Sequence, residues 1–598
     1  MNLAARVAVT VEPSPVQISP RPELTARALL VGGAIGAVLA AGNVYTGLKI
    51  SIIDGGSITA ALLGFMFFAT FTRLGRRPYS ALENNITQTT AASAAIMGYV
   101  AGVGGPVPAM ALLGREFPSW ALCVWGLAVA LVGIVAAALL RRKLVVDEAL
   151  PFPTGNATGD LIETIFAARA SAVRRARFLI GGAVVAAAVT WFRDGRPHLI
   201  PDSTAFAGAI GGVSLGALTV GMSWSPLLLS TGVMMGIRAA ASMALGSAIA
   251  WLGLAPWLVR TQIAKHAAFS DCLSWLVWPA LGLLLAGSFL PLILDWRSVA
   301  RSVSDLGALV RRRAVGRTPA AEGQAELDRA ARPAGVGFPA LVLGFVAIAA
   351  VGRVVFGLHP LGALVAVLAA LVLAVVSSRA AGETDLAPVG QVGTLTQLLF
   401  SGYGPIVSIL AGSVSMGTAS QAAQTLWAFK AGQRLRGSPR AQLVAQLLGA
   451  LIGGLVVVPV YLVIVKAYGL GTESLPAPSA ISWRATAEAV RGGFAALPPY
   501  ATVAGAIGLG VGVLLSVFGR RAWGRRYLPS PAAMGIAMLM PASLSLAALT
   551  GAVAAVLVMR LRPSVDQESL TSLAAGGITG ESVMGVVIAI AIATGLLK

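Results

Sequence analysis

Residues 42 to 56 read GNVYTGLKISIIDGG and set Asn43, Tyr45, Lys49 and Asp54 among four glycines in an otherwise apolar stretch. A cation and an anion there can hold the opposite charges of one ligand, and the glycines let the backbone leave helical geometry and present its amides. The plainer reading is that both charges mark a helix end. Further on, Glu83-Asn84-Asn85-Ile86-Thr87-Gln88-Thr89 gathers an acid and several amides and hydroxyls. At helical spacing Asn84 and Gln88, or Asn85 and Thr89, share a face. Such a stripe offers the donors and acceptors that a peptide backbone needs, and Ser420, Gln421 and Gln424 form a comparable one. Capping and helix–helix bonding account for the same residues without a ligand.

Arg238 lies 12 residues beyond Pro226 within SPLLLSTGVMMGIRAAASMALG. A guanidinium in apolar surroundings needs an anion, either a ligand carboxylate held bidentately or a fixed partner such as Glu581 or Asp160. Reversible protonation would require a carboxylate in a dry or partly wet place. Glu83 and Glu581 are the first candidates, followed by Asp54 and Asp385, which neighbour glycine or proline at expected breaks.

The elements that position these residues follow from composition. The 598 residues are 57% hydrophobic and 11% charged, against about 25% charged in soluble domains, and the mean hydropathy is +0.82. Apolar runs of about 20 residues recur from Ala26 onward, the length of a transmembrane helix. The expected fold is an all-α polytopic integral membrane protein. Its net charge of +20 sits in short clusters between the runs: Arg73, Arg76, Arg77; Arg141, Arg142, Lys143; Arg174, Arg175, Arg177; Arg311 to Arg313; and Arg520, Arg521, Arg525, Arg526. This is the positive-inside signal rather than a nucleic-acid surface. Cys123 and Cys272 have no CxxC partner, and His198, His266 and His359 are scattered, so neither a metal site nor a cofactor is expected. No P-loop, HExxH or aspartate-rich pyrophosphate motif argues for an enzyme.

Hydropathy places spans at 26–48, 56–72, 85–112, 118–140, 177–193, 204–222, 227–256 and 273–294, then at 336–356, 359–378, 392–412, 442–465, 500–519, 531–559 and 577–597, for 14 to 16 in all. Residues 1–25 read as a disordered tail, 26–294 as a first transmembrane half, 295–335 as a basic cytoplasmic linker and 336–598 as a second half. Three matches in one order suggest a duplication: 150–154 with 475–479, 207–211 with 504–508, and Ser225-Pro226 with Ser530-Pro531, at offsets of 325, 297 and 305. With the N-terminus inside, the basic cluster Lys430 to Arg440 falls outside unless 392–403 is a half-helix and 405–429 the true span. Irregular backbone at such depth survives only where protein or a watery cavity covers it.

GNVYTGLKISIIDGGSITAALLGF, ENNITQTTAASAA, LPFPTGNAT, SPLLLSTGVMMGIRAAASMALG, GETDLAPVGQVGTLTQLLF, TASQAAQTLWAFKAGQRLRGSPRAQLVAQLLGA, SPAAMGIAMLMPASLSL and GITGESVMG together resemble the oligopeptide transporter superfamily, which includes yellow-stripe-like metal-chelate carriers. The resemblance runs from about Arg27 to the end. It implies about 16 transmembrane helices in two related halves with re-entrant or broken helices, and proton-coupled uptake of small oligopeptides, with metal chelates as the alternative. On the residue types and positions given above, Asn43, Tyr45, Lys49, Asn84, Asn85, Gln88, Arg238, Gln421 and Gln424 are the candidate substrate contacts and Glu83, Glu581, Asp54 and Asp385 the candidate proton carriers. The expected setting is a bacterial-type cytoplasmic membrane, multi-pass, with the N-terminus cytoplasmic. The expected partners are the substrate, protons and the bilayer, and a homodimer is compatible with this reading.

Overall fold

A computed structural model describes residues 22–71, 78–167, 169–294, 337–492, 498–562 and 565–597. The linker at 295–335, most of the N-terminal tail, and the clusters Arg73 to Arg77 and Arg311 to Arg313 lie outside the described residues. The chain runs through α1 (Ala26–Ile50), α2 (Ser57–Thr70), α3 (Ala81–Ala95), α4 (Met97–Val100), α5 (Pro106–Leu112), α6 (Ser119–Arg141), α7 (Pro153–Ala167) and α8 (Arg169–Asp194). Four short strands follow: β1 (Ser203–Ala205), β2 (Ala209–Ile210), β3 (Val213–Ser214) and β4 (Gly221–Ser223). After them come α9 (Pro226–Ala248), α10 (Ala255–Arg260) and α11 (Phe269–Leu294). The remainder is α12 (Gly337–Val355), α13 (Pro360–Thr384), α14 (Val389–Leu399), α15 (Pro405–Arg434), α16 (Pro439–Tyr468), α17 (Pro478–Gly492), α18 (Ala501–Phe518), α19 (Ala522–Tyr527), α20 (Pro531–Met538), α21 (Ala542–Leu561) and α22 (Gln567–Ala593).

Among the described residues twelve helices are long and apolar enough to cross a membrane, where hydropathy suggested 14 to 16. The shortfall comes from interrupted segments. α2 has 14 residues and α14 has 11. At 1.5 Å per residue α14 rises only about 16 Å, half of a hydrocarbon core. The 30-residue α15 follows it, buried along most of its length, so a short helix stands where a half-helix is expected before 405.

The span expected at 204–222 is not a helix. Gly211 and Gly212, at φ of 65° and 84°, form the two-residue turn of a hairpin between β2 and β3, and β1 pairs antiparallel with β4. Two left-handed glycines in succession favour such a turn over a helix. The match of 207–211 with 504–508 falls with it, because Ala504 to Gly508 lie inside α18. The other two matches share local geometry. Ser225 and Ser530 each cap a helix with proline at its start, accepting from Leu228 N and Ala533 N.

The proline-led segments before α7 and α17 are tied crosswise to the ends of α13 and α1. Phe152 N donates to Gly382 O at 2.9 Å, and Ala477 N donates to Leu48 O at 2.8 Å. Beside the first bond, Thr154 N and Oγ1 donate to the two oxygens of Asp385 at 2.9 and 2.7 Å. Beside the second, Ser479 N donates to Ser51 Oγ at 2.8 Å. Phe152 and Ala477 take φ of 40° and 48°, and Asp385 and Ser51 take 66° and 60°. These non-glycine left-handed residues are held by the paired hydrogen bonds around them.

Candidate functional site

Lys49 occupies the last turn of α1 and Arg193 the last turn of α8, where a cation suits the helix C-terminus. Both meet Glu581 of α22, which is fully buried. Lys49 Nζ and Arg193 Nη2 each lie 3.1 Å from Glu581 Oε1. The carboxylate also accepts from Ser225 Oγ at 2.9 and 2.8 Å and from Leu227 N at 2.9 Å, so it sits on the N-terminus of α9, a natural anion site. Arg193 further holds both oxygens of Asp194, at 2.5 and 2.6 Å, and Lys49 donates to Tyr45 Oη at 2.9 Å. Asp202 Oδ1 lies a further 3.8 Å from Arg193 Nε, so three carboxylates surround the two cations.

Against this cluster opens a chamber of about 640 Å³ lined by Tyr45, Lys49, Arg193, Asp194, Asp202 and Glu473, with Tyr468 beside them. Lys49 and Arg193 line it with Asp202, from the loop after α8 and 3.8 Å from Arg193 Nε, and with Glu473, from the loop after α16. Desolvation raises Glu473 above its ordinary carboxylate value. Desolvation and then the Asp194 carboxylate raise Asp202 likewise. A chamber bearing both signs, with tyrosines between them, can orient a zwitterion.

Of the residues expected from sequence, Tyr45, Lys49 and Glu581 meet here. Lys49 does mark the end of α1, and there it is only 7% exposed. Asn43 instead ties the break after α1 to α3, donating to Asp54 O at 2.6 Å and Ala95 O at 3.0 Å. Asp54 lies in that break and Asp385 on the α7 segment, and neither lines the chamber. Glu83 closes a capping box with Ser80 and takes Arg27 at 2.7 Å and Thr25 at 2.7 Å. The helix-start alternative therefore describes its bonds.

Asn84, Asn85, Gln88, Gln421 and Gln424 are all buried between α2, α3, α15 and α16. Asn84 donates to Ala61 O, Gln88 to Asn85 Oδ1, Gln421 to Ser93 and Gln446, and Gln424 to Ser57. Asn84 Oδ1, Asn85 Nδ2, Gln88 Oε1, Gln421 Oε1 and Gln446 Nε2 are buried without a partner, so this amide seam has spare capacity. It does not reach the chamber lining.

Arg238 is placed elsewhere. It is exposed beside Gly236, which breaks α9 at φ 78°, and its Nε donates to Leu528 O at 3.0 Å. Neither fixed partner expected for it applies, since Glu581 takes Lys49 and Arg193 and Asp160 takes Arg434 at 2.7 Å. Sequence reading passed over Arg193, Asp194, Asp202, Ser225, Tyr468 and Glu473. One signal was available, the adjacent opposite charges Arg193-Asp194 closing an apolar run.

The family model of the OPT oligopeptide transporter protein matches residues 23–592. A provisionally named oligopeptide transporter of Saccharomyces cerevisiae is 24% identical, over 79% of this chain and 82% of its own. One of Haemophilus influenzae is 22% identical over 92% of both chains. YSL8 of Arabidopsis thaliana, provisionally named a metal-nicotianamine transporter, is 23% identical over 94% of this chain and 85% of its own. With the match spanning nearly every element described above, the chain belongs to the OPT oligopeptide transporter family and is a polytopic membrane transporter, not an enzyme.

Proposed function

We propose that this transporter takes small oligopeptides into the cell across the cytoplasmic membrane, driven by protons, with the chamber at Glu581 as its substrate site. The observation that carries the reading is the chamber's two-signed wall. Lys49 and Arg193 can receive a peptide carboxylate while Asp202 and Glu473 receive the amine, and Tyr45 and Tyr468 flank the space between. Glu581 is the foremost proton carrier, since a proton there would release Lys49 toward an anionic ligand while Arg193 keeps Asp194. The buried amide seam is the passage that opens after the chamber closes. Crosswise bonding of the two proline-led segments supports two related halves of opposite orientation, an arrangement common in secondary transporters.

Metal chelates are the second reading, favoured by the name of the Arabidopsis thaliana relative and by the chemistry of the wall. The chamber has carboxylates and cations and no cysteine, so it suits a metal that is already ligated better than a naked soft ion. Uptake into proteoliposomes under an imposed pH gradient, comparing a panel of di- to tetrapeptides with ferric and nickel chelates, decides between them. Accumulation of peptides that collapses with the gradient supports the first reading. Accumulation of chelates alone supports the second, and gradient-independent uptake of either removes proton coupling.

A further inference from the structure

Glu473 stands two residues before Leu475-Pro476 as Glu148 stands two before Leu150-Pro151, and 473 − 148 = 325, the offset of the two proline-led segments themselves. Each segment is bonded to the end of a long helix through Gly382 O or Leu48 O, and 382 − 48 = 334. The same offset pairs Arg379 with Tyr45, three residues before the bonded carbonyl, and Glu383 with Lys49, one residue after it, so the acids before the proline-led segments correspond while the cations do not. The two acids therefore occupy corresponding places beside corresponding helix ends.

Those ends lie at opposite ends of the bundle. Glu23, just before α1, accepts from Ser438 N just after α15, so α1 starts beside the C-terminus of α15 and runs away from it. The end of α13 lies at Phe152, which packs with Phe429 near that same C-terminus. At the α13 end the acid is engaged: Glu148 lies 2.8 Å from Arg379, whose side chain is 3% exposed, and Arg379 also meets Glu383 at 3.3 Å. At the α1 end the arrangement is open. Glu473 and Lys49 both line the chamber, Lys49 is engaged by Glu581, and among the described residues Glu473 makes no ion pair.

We propose that Glu473 is the gate acid of the chamber: it closes onto Lys49 when Glu148 releases Arg379, so that one end of the bundle is latched while the other is open. Each end then carries one acid before its proline-led segment and one cation in the last turns of its helix, with the two cations one turn apart in register, and a carrier whose ends latch in turn lets binding tip the balance. The inference rests on the transporter reading but on no particular substrate.

The test places spin labels on Ser203→Cys and Ser474→Cys, exposed residues of the chamber wall, with Cys123→Ala and Cys272→Ala to remove the native thiols. Pulsed electron resonance on protein in nanodiscs then reads long, open-chamber distances against short, closed ones. Glu148→Gln and Arg379→Met have the loss of the Glu148–Arg379 pair in common, the first also giving up Lys143 and the second Glu383, and each is expected to shift the ratio toward short distances by about tenfold. Glu473→Gln is expected to shift it toward long distances, and Glu148→Asp to stay near the parent. Unchanged distances in a monodisperse Glu148→Gln or Arg379→Met, or a shift of both acid variants in one direction, would overturn the gate. The readout involves no substrate, so it stands or falls apart from peptide uptake.

Discussion

Replacing Glu581 by Gln removes the one carboxylate that two buried cations share. Arg193 keeps Asp194 at 2.5 and 2.6 Å, so its loss is partial. Lys49 is left with the neutral Tyr45 hydroxyl at 2.9 Å, in a site where it is 7% exposed. Stranding a buried charge costs about 3–5 kcal/mol. The glutamine carbonyl still accepts from Ser225 or Leu227, which places the expected loss near the lower end, about 3 kcal/mol, a large share of the roughly 5–15 kcal/mol that holds a typical domain. Thermal unfolding in detergent should show a clear drop for Glu581→Gln with or without substrate. Adding Lys49→Met removes the stranded charge and should recover about 2 kcal/mol, a coupling only direct partners show. If Glu581→Gln unfolds at the parent temperature, or the double variant is no better than the single, the ion cluster is not what holds α1, α8, α9 and α22 together here. In the same variant gradient-driven uptake should disappear while counterflow exchange remains measurable; accumulation at the parent level would remove Glu581 from coupling.

Glu473 gives a pH dependence of definite sign. Its folded-state value is raised by desolvation, so its protonated form favours the fold, and that contribution is present at and below the ordinary carboxylate value of 4.5 and lost as pH rises through the raised one. Glu473→Gln should thus gain stability relative to the parent on going upward from that pH, and parallel melting-versus-pH curves would refute the assignment. Arg238→Lys should leave uptake of free-acid and C-terminally amidated peptides equally unaffected and alter stability by under about 1 kcal/mol, because it gives up one exposed bond to Leu528 O. A selective rise in KM for free acids would restore the carboxylate clamp. Asp385→Asn should cost about 1–2 kcal/mol through its weakened bonds to Thr154. A melting temperature equal to the parent's would show that this crossing is not under load.

What could be read in the sequence divides along a physical line. Local signals were legible: the short helix before Pro405 from the misplaced basic cluster, capping as one account of the stripe that opens with Glu83, and the Ser-Pro pair repeated at the starts of α9 and α20. The region 204–222 was misread because a run without charges scores as a span whatever its backbone does, although its Gly-Gly pair is a hairpin signal. The charged cluster could not be read as a unit. Lys49 and Glu581 are 532 residues apart, and Arg193 looked like a boundary marker at the end of an apolar run. Arg238 was overrated for the complementary reason, since position along a helix was taken for depth, and Gly236 breaks the helix two residues earlier.

The proline-led repeat held more than was taken from it. Comparing 150–154 with 475–479 compares the parts that set backbone shape: proline fixes φ, and the residue before it is pushed from helical geometry, so both segments end one element and begin another. That much recurs for structural reasons alone. An acid two residues upstream in both copies is not needed for the turn, because the crosswise bonds are made by Phe152, Thr154, Ala477 and Ser479. Its environments also differ, with Glu148 bonded to Arg379 and Glu473 facing the chamber unpaired among the described residues. An acid that stands before both segments where the turn does not require it, bonded in one and open to the chamber in the other, is what the proposed gate needs. For that reason the contrast between Glu148→Gln and Glu473→Gln discriminates a working gate from a duplicated ornament: a purely structural pair would lose stability in both variants and move the chamber in neither.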